Sequence, residues 1–107
     1  QKKLVLILKE NKMGKIYVGQ DFKVNITLNE DITGSQSVKI AYKHNNGTSG
    51  EWNAYIIDSL IGKIAYDVLA DENKLSGDIK VWARVTNADG LYFPSTTATY
   101  TIHKEGN

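Results

Sequence analysis

Six stretches of this chain alternate apolar and polar residues with a period of two, and that pattern most limits what the chain can fold into. Phe22, Val24, Ile26 and Leu28 alternate with Lys23, Asn25 and Thr27. Val38, Ile40 and Tyr42 do the same between Lys39 and Lys43, and Trp52, Ala54 and Ile56 between Asn53 and Tyr55. Ile64, Tyr66 and Val68 follow, then Ile79, Val81, Ala83 and Val85, then Ala98, Tyr100 and Ile102. Successive side chains of a strand point to opposite faces, so each stretch reads as a strand with one buried face. No segment of useful length carries a helical period.

Glycine- and Asx-bearing breaks separate the strands: Gly14, Gly19-Gln20, Asn29 to Gly34, Asn45 to Gly50, Ser76-Gly77 and Asn87 to Gly90. Leu69 to Leu75 is expected to form a single helical turn that crosses between sheets. Pro94 has no N–H to give a ladder, so it marks a bulge or an edge. One-faced strands at this spacing bury their apolar faces against each other as two sheets. The expectation is an all-β, antiparallel β-sandwich of seven to eight strands. The 107 residues suit a single domain, 1–107, and 41% hydrophobic with 23% charged residues is an ordinary globular composition.

Leu4-Val-Leu-Ile-Leu8 breaks the pattern because it is apolar on both faces. A strand covered on both sides is unusual in a two-layer sandwich. Residues 1–10 are therefore read as a strand packed under a loop, a strand swapped with a neighbour, or a strand that docks on another subunit. Five consecutive apolar residues are too few for the apolar segment of a signal peptide, and no run approaches the roughly 18 residues of a membrane span.

The residues offer little that points to chemistry. There is no cysteine, so disulfides, thiolate metal sites and a cysteine nucleophile are excluded. His44 and His103 fall on different strands, and Asp31, Asp58, Asp67, Asp71, Glu72 and Asp78 are scattered. None of these has metal-ligand spacing, and none singles out an acid–base pair. No catalytic residue, metal or cofactor is expected. The net charge of +1 gives no strong field toward nucleic acid or an anionic membrane.

The two tryptophans are of a binding kind. Trp52 follows the loop Asn45 to Gly50 and reads as a core residue. Trp82 lies among Lys80, Arg84 and Thr86, on the face opposite Val81, Ala83 and Val85. It either lies flat on its sheet in a cation–π arrangement with Lys80 and Arg84, is roofed by the Leu4-to-Leu8 strand, or anchors in a partner. Tryptophan is enriched among interface hot spots. The expected partner-binding residues are Leu4, Val5, Leu6, Ile7, Leu8, Trp82, Tyr92 and Phe93. A glycan-stacking set of Trp82, Tyr92, Tyr55 and Asn53 is the alternative.

Val81 to Ser95 resembles the last hairpin of an immunoglobulin-like or fibronectin type III domain, in which an alternating strand runs into an Asn-x-x-Gly turn and then Pro-Ser. It departs from fibronectin type III at Ile79, where such domains often carry a tyrosine. The segment from Tyr42 to Ile102 is similar to immunoglobulin-like proteins of tailed bacteriophage virions. Tyr42-Lys43 leads to a glycine loop and Gly50-Glu-Trp-Asn-Ala54. Gly62-Lys-Ile-Ala-Tyr66 follows, then Ser76-Gly77 before the penultimate strand. This resemblance implies a non-enzymatic structural protein of the virion. It would dock on the capsid as a decoration or auxiliary protein, or on the tail or baseplate, with other virion proteins as partners. A carbohydrate-binding or adhesin-type module for host-surface glycans is the alternative.

Overall fold

The computed structural model describes residues 15–106. They form nine strand segments: β1 (Ile16–Tyr17), β2 (Phe22–Thr27), β3 (Ser37–His44), β4 (Ser49–Asn53), β5 (Tyr55–Asp58), β6 (Lys63–Val68), β7 (Gly77–Thr86), β8 (Tyr92–Pro94) and β9 (Ala98–His103). One sheet runs β1-β9-β7-β3-β4, with β8 also on β7, and the other runs β2-β6-β5. The chain is an all-β, immunoglobulin-like sandwich. Every ladder is antiparallel except β1 on β9, where the chain enters alongside its own last strand.

The alternating residues meet between the sheets. Val24, Ile26, Ile40, Ile64, Val81, Ala83 and Val85 are all at most 1% exposed and belong to one core cluster. Their neighbours along each strand, among them Lys23, Asn25, Lys39, Lys80, Trp82 and Arg84, point the other way, as a period of two requires. Residues 69–75 connect β6 in one sheet to β7 in the other. They make one turn, with the Asn73 N–H donating to the Leu69 carbonyl at 3.1 Å. Asn73 is buried there, and its side-chain amide donates to the carbonyls of Tyr17 and Gln20.

Pro94 sits at a bulge. Arg84 faces Pro94, but Val81 faces Ala98, so the register slips by one residue between β8 and β9. Ser95 bridges the gap: its N–H donates to the Ala83 carbonyl and its hydroxyl accepts from the Ala83 N–H. β8 and β9 are thus two halves of one strand interrupted at the proline. The alternation of Trp52, Ala54 and Ile56 does not belong to one strand. β4 ends at Asn53 and pairs with β3, whereas β5 begins at Tyr55 and pairs with β6. The chain changes sheet at Ala54 without losing its period.

Two aromatic devices tie the sheets together. On one flank, the Trp52 ring lies between Tyr42 at 4.4 Å and Tyr66 at 4.8 Å, both stacked. The stack links β3 and β4 to β6. Gly50, directly across from Tyr42, leaves room for it: a Cβ there would stand 2.6 Å from the Tyr42 hydroxyl. On the other flank, the Tyr100 hydroxyl of β9 accepts from the Asn25 N–H of β2.

Candidate functional site

Trp82 lies in the middle strand of the larger sheet and is half-buried on its outer face. The ladder between β3 and β7 sets its surroundings. Lys39 faces Arg84, Ala41 faces Trp82, and Lys43 faces Lys80. The indole thus sits within four cations. Glu51 of β4 faces Ala41 from the other side, and its carboxylate accepts from the Arg84 guanidinium and lies 3.8 Å from Lys39 Nζ. Ala41 is only 2% exposed although it points outward, because larger side chains flank it on both neighbouring strands.

Of the three arrangements expected for Trp82, the cation–π one with Lys80 and Arg84 is absent among the described residues. The Arg84 guanidinium lies over Tyr92 instead, 5.4 Å from the ring centre, and Arg84 Nε donates to the Tyr92 hydroxyl at 2.8 Å. Those contacts, the Tyr92 hydroxyl first and Glu51 after it, push the Arg84 pKa up from its usual value. Arg84 turns toward Tyr92 because Thr86 faces Tyr92, which places the ring over the outer face at that end.

Phe93 does not share this face. It pairs with Val85, whose side chain is in the core, and it packs against that cluster. Adjacent residues of a strand point opposite ways, so Tyr92 and Phe93 cannot both stand beside Trp82. The glycan-stacking set is divided as well. Trp82, Tyr92 and Asn53 belong to the larger sheet, whereas Tyr55 lies in the smaller one. There its hydroxyl donates to Asp67 and Lys23 lies over its ring at 6.0 Å. Leu4 to Leu8 lie outside the described residues.

A second feature escaped the pattern reading. β5 pairs only with β6 and is an edge strand among the described residues. Tyr55, Ile56 and Ile57 on it, with Leu60 and Ile61 in the turn beyond, are each at least 40% exposed. The signal in the sequence is a pair of apolar dipeptides, Ile56-Ile57 and Leu60-Ile61, on either side of Asp58-Ser59, and alternation masks the first.

A cleft of about 250 Å³ opens at one end between the sheets, lined by residues that include Phe22, Tyr42, His44, Trp52, Glu72 and Ile79. Two of its polar groups, Glu72 and Asn73, have structural tasks. Both Glu72 carboxylate oxygens accept from the Tyr66 hydroxyl, at 3.1 and 2.9 Å, and Oε1 also accepts from the Leu69 N–H. Burial and the Glu72 carboxylate push the Tyr66 hydroxyl up to about 12. His44 is buried with Nδ1 unpartnered, and no hydrogen bond joins it to Glu72 among the described residues. Both faces of the Trp52 ring are covered by tyrosines, so a ligand meets only its edge. Among the described residues, no group of three or more His, Asp or Glu can hold a metal ion.

No protein-family model matches the chain, and no curated protein matches it. The sandwich, the basic face around Trp82 and the apolar edge at β5 are therefore the features from which a function has to be argued.

Proposed function

We propose that this chain is a non-enzymatic docking module, a structural protein of a bacteriophage virion that attaches to the capsid as a decoration or auxiliary protein, or to the tail. One observation carries the docking part. Three large hydrophobic residues on β5 (Tyr55, Ile56 and Ile57) and two in the turn after it (Leu60 and Ile61) are exposed, and the outer backbone groups of β5 have no strand beside them among the described residues. An edge of that kind favours pairing with another chain, and a contiguous apolar patch marks an interaction surface. In an assembly the edge is covered. The virion part rests on the resemblance carried by Tyr42 to Ile102.

The test is mass spectrometry of purified particles, followed by imaging to place the added density. Recovery in a fixed ratio to a capsid or tail protein supports the reading. Absence from particles that retain their other structural proteins refutes it. The glycan-binding alternative loses Tyr55 to the other sheet and keeps Trp82, Tyr92 and Asn53, with the Trp82 ring free of a stacking partner among the described residues. Binding on a glycan array that Trp82→Ala abolishes would favour that alternative.

A further inference from the structure

We propose that the outer face of the larger sheet, on β3 and β7, is a second docking surface that takes an acidic patch of a partner protein, with a carboxylate seated between Lys43 and Lys80 beside Trp82. The argument starts from the register. Two of three consecutive cross-strand pairs are like-charged: Lys39 with Arg84, and Lys43 with Lys80. Side chains directly opposite across a ladder stand about 5 Å apart, and like charges there weaken the sheet. The first pair is relieved within the chain by Glu51, which meets both Lys39 and Arg84. The second is not. Lys43 and Lys80 are exposed, and neither meets a carboxylate among the described residues. Asp78, two positions from Lys80, accepts from the Thr101 hydroxyl on the next strand. Four lysine and arginine charges against Glu51 leave the patch around Trp82 at +3, or +2 with Asp78, on a chain whose total is +1.

Two opposed amines and a half-buried indole make the chemistry of one interface anchor: charge to place a carboxylate, apolar surface to hold what carries it. The same register argues against a nucleic acid or an acidic polysaccharide. A polymer of repeating negative charge needs a continuous track of cations, and here Glu51 and Asp78 stand at either side of the lysine pair. A folded partner can place its own charges to match that alternation.

This inference rests on the reading that the chain docks, and its test is separable from the particle experiment. Hexaglutamate is titrated into the isotope-labelled protein and followed by amide and indole NMR shifts. The expected result is shifts confined to Lys43, Lys80, Trp82 and their neighbours. They should weaken about tenfold or more in about 0.5 M salt, where the screening length falls to about 4 Å. They should vanish in the double variant Lys43→Glu, Lys80→Glu. Single Lys80→Glu turns a like pair into an opposite one, so its Tm should stay level or rise, which separates lost binding from lost folding. The proposal is overturned by an absence of shifts at millimolar peptide or by shifts that survive the double charge reversal. It is equally overturned if a heparin tetrasaccharide or an oligothymidylate binds the same lysines more tightly than the peptide. If hexaglutamate binds and the chain is absent from particles, the virion reading fails and the acidic-partner surface stands.

Discussion

The Tyr100 hydroxyl on β9 accepts a hydrogen bond at 3.2 Å from the backbone N–H of Asn25 on β2. This joins the two sheets on a flank where no ladder does, because β9 and β2 belong to different sheets. Burial supplies the driving force for the ring, and the hydroxyl satisfies an edge-strand amide that β6 does not use. The hydroxyl pKa is raised by that burial, against the opposing pull of the Asn25 amide.

Tyr100→Phe keeps the ring and its contact with Phe22 but leaves that amide unpartnered. The expected loss is about 1–2 kcal/mol. In a domain of this size it lowers the Tm by roughly 5–15 °C. Urea unfolding and calorimetry measure it. A change under about 0.5 kcal/mol would mean that water replaces the hydroxyl and that the flank is held by packing alone.

Tyr66 gives the fold an alkaline limit. Its hydroxyl holds its proton up to about 12, against 10.0 for a free tyrosine, because ionisation would place an anion in a half-buried site beside Glu72. The native state thus binds the proton more tightly than the unfolded state. The resulting stability is fully present below pH 10 and is lost as pH rises toward 12. Tyr100 adds a second decline of the same sign. Unfolding followed from pH 8.5 to 11.5 should show a shallower decline for Tyr66→Phe than for the unaltered protein, and absorbance titration should show one late-ionising tyrosine lost. Parallel declines in the two proteins would contradict the assignment.

The parts of this fold that were legible in the sequence are those in which one residue's side is fixed by its own strand. Ile79, Val81, Ala83 and Val85 alternate with charged or aromatic neighbours, so their burial follows from a period of two. The change of sheet at Ala54 was hidden because the chain crosses without glycine or proline and keeps its parity. The side that Phe93 faces was not legible, because it depends on how the Asn87-to-Gly90 turn sets the β7–β8 register. Asn87 sets it through its own side chain, whose Oδ1 accepts from the N–H groups of Asp89 and Leu91. The opposition of Lys43 and Lys80 was out of reach for a deeper reason. It is a long-range register between strands far apart in the chain, and nothing local encodes it.

Gly50→Ala tests the aromatic stack. The new Cβ would lie 2.6 Å from the Tyr42 hydroxyl and 2.9 Å from its Cζ. Trp52 holds the other face of that ring, so relief requires the stack to open. Overpacking of this kind costs about 1–3 kcal/mol. The near-ultraviolet circular dichroism of the stacked rings should fall in the same variant. Unchanged stability with an unchanged spectrum would show that Tyr42 can step aside without disturbing Trp52.

The apolar edge can be tested without touching the core. Ile57 lies where the β5–β6 register is irregular and is 46% exposed, so Ile57→Lys removes apolar surface from the edge while leaving the buried cluster intact. Surface changes of this sort usually alter stability by about 0.5 kcal/mol or less. A lysine on an exposed edge also opposes strand addition, because a neighbouring chain must bury or displace its charge. Ile57→Lys should therefore lower self-association in sedimentation velocity and reduce recovery on particles, with no change in the unfolding midpoint. Full recovery on particles with reduced self-association would separate the two effects. It would assign the β5 edge to contacts between copies, and particle attachment to another surface.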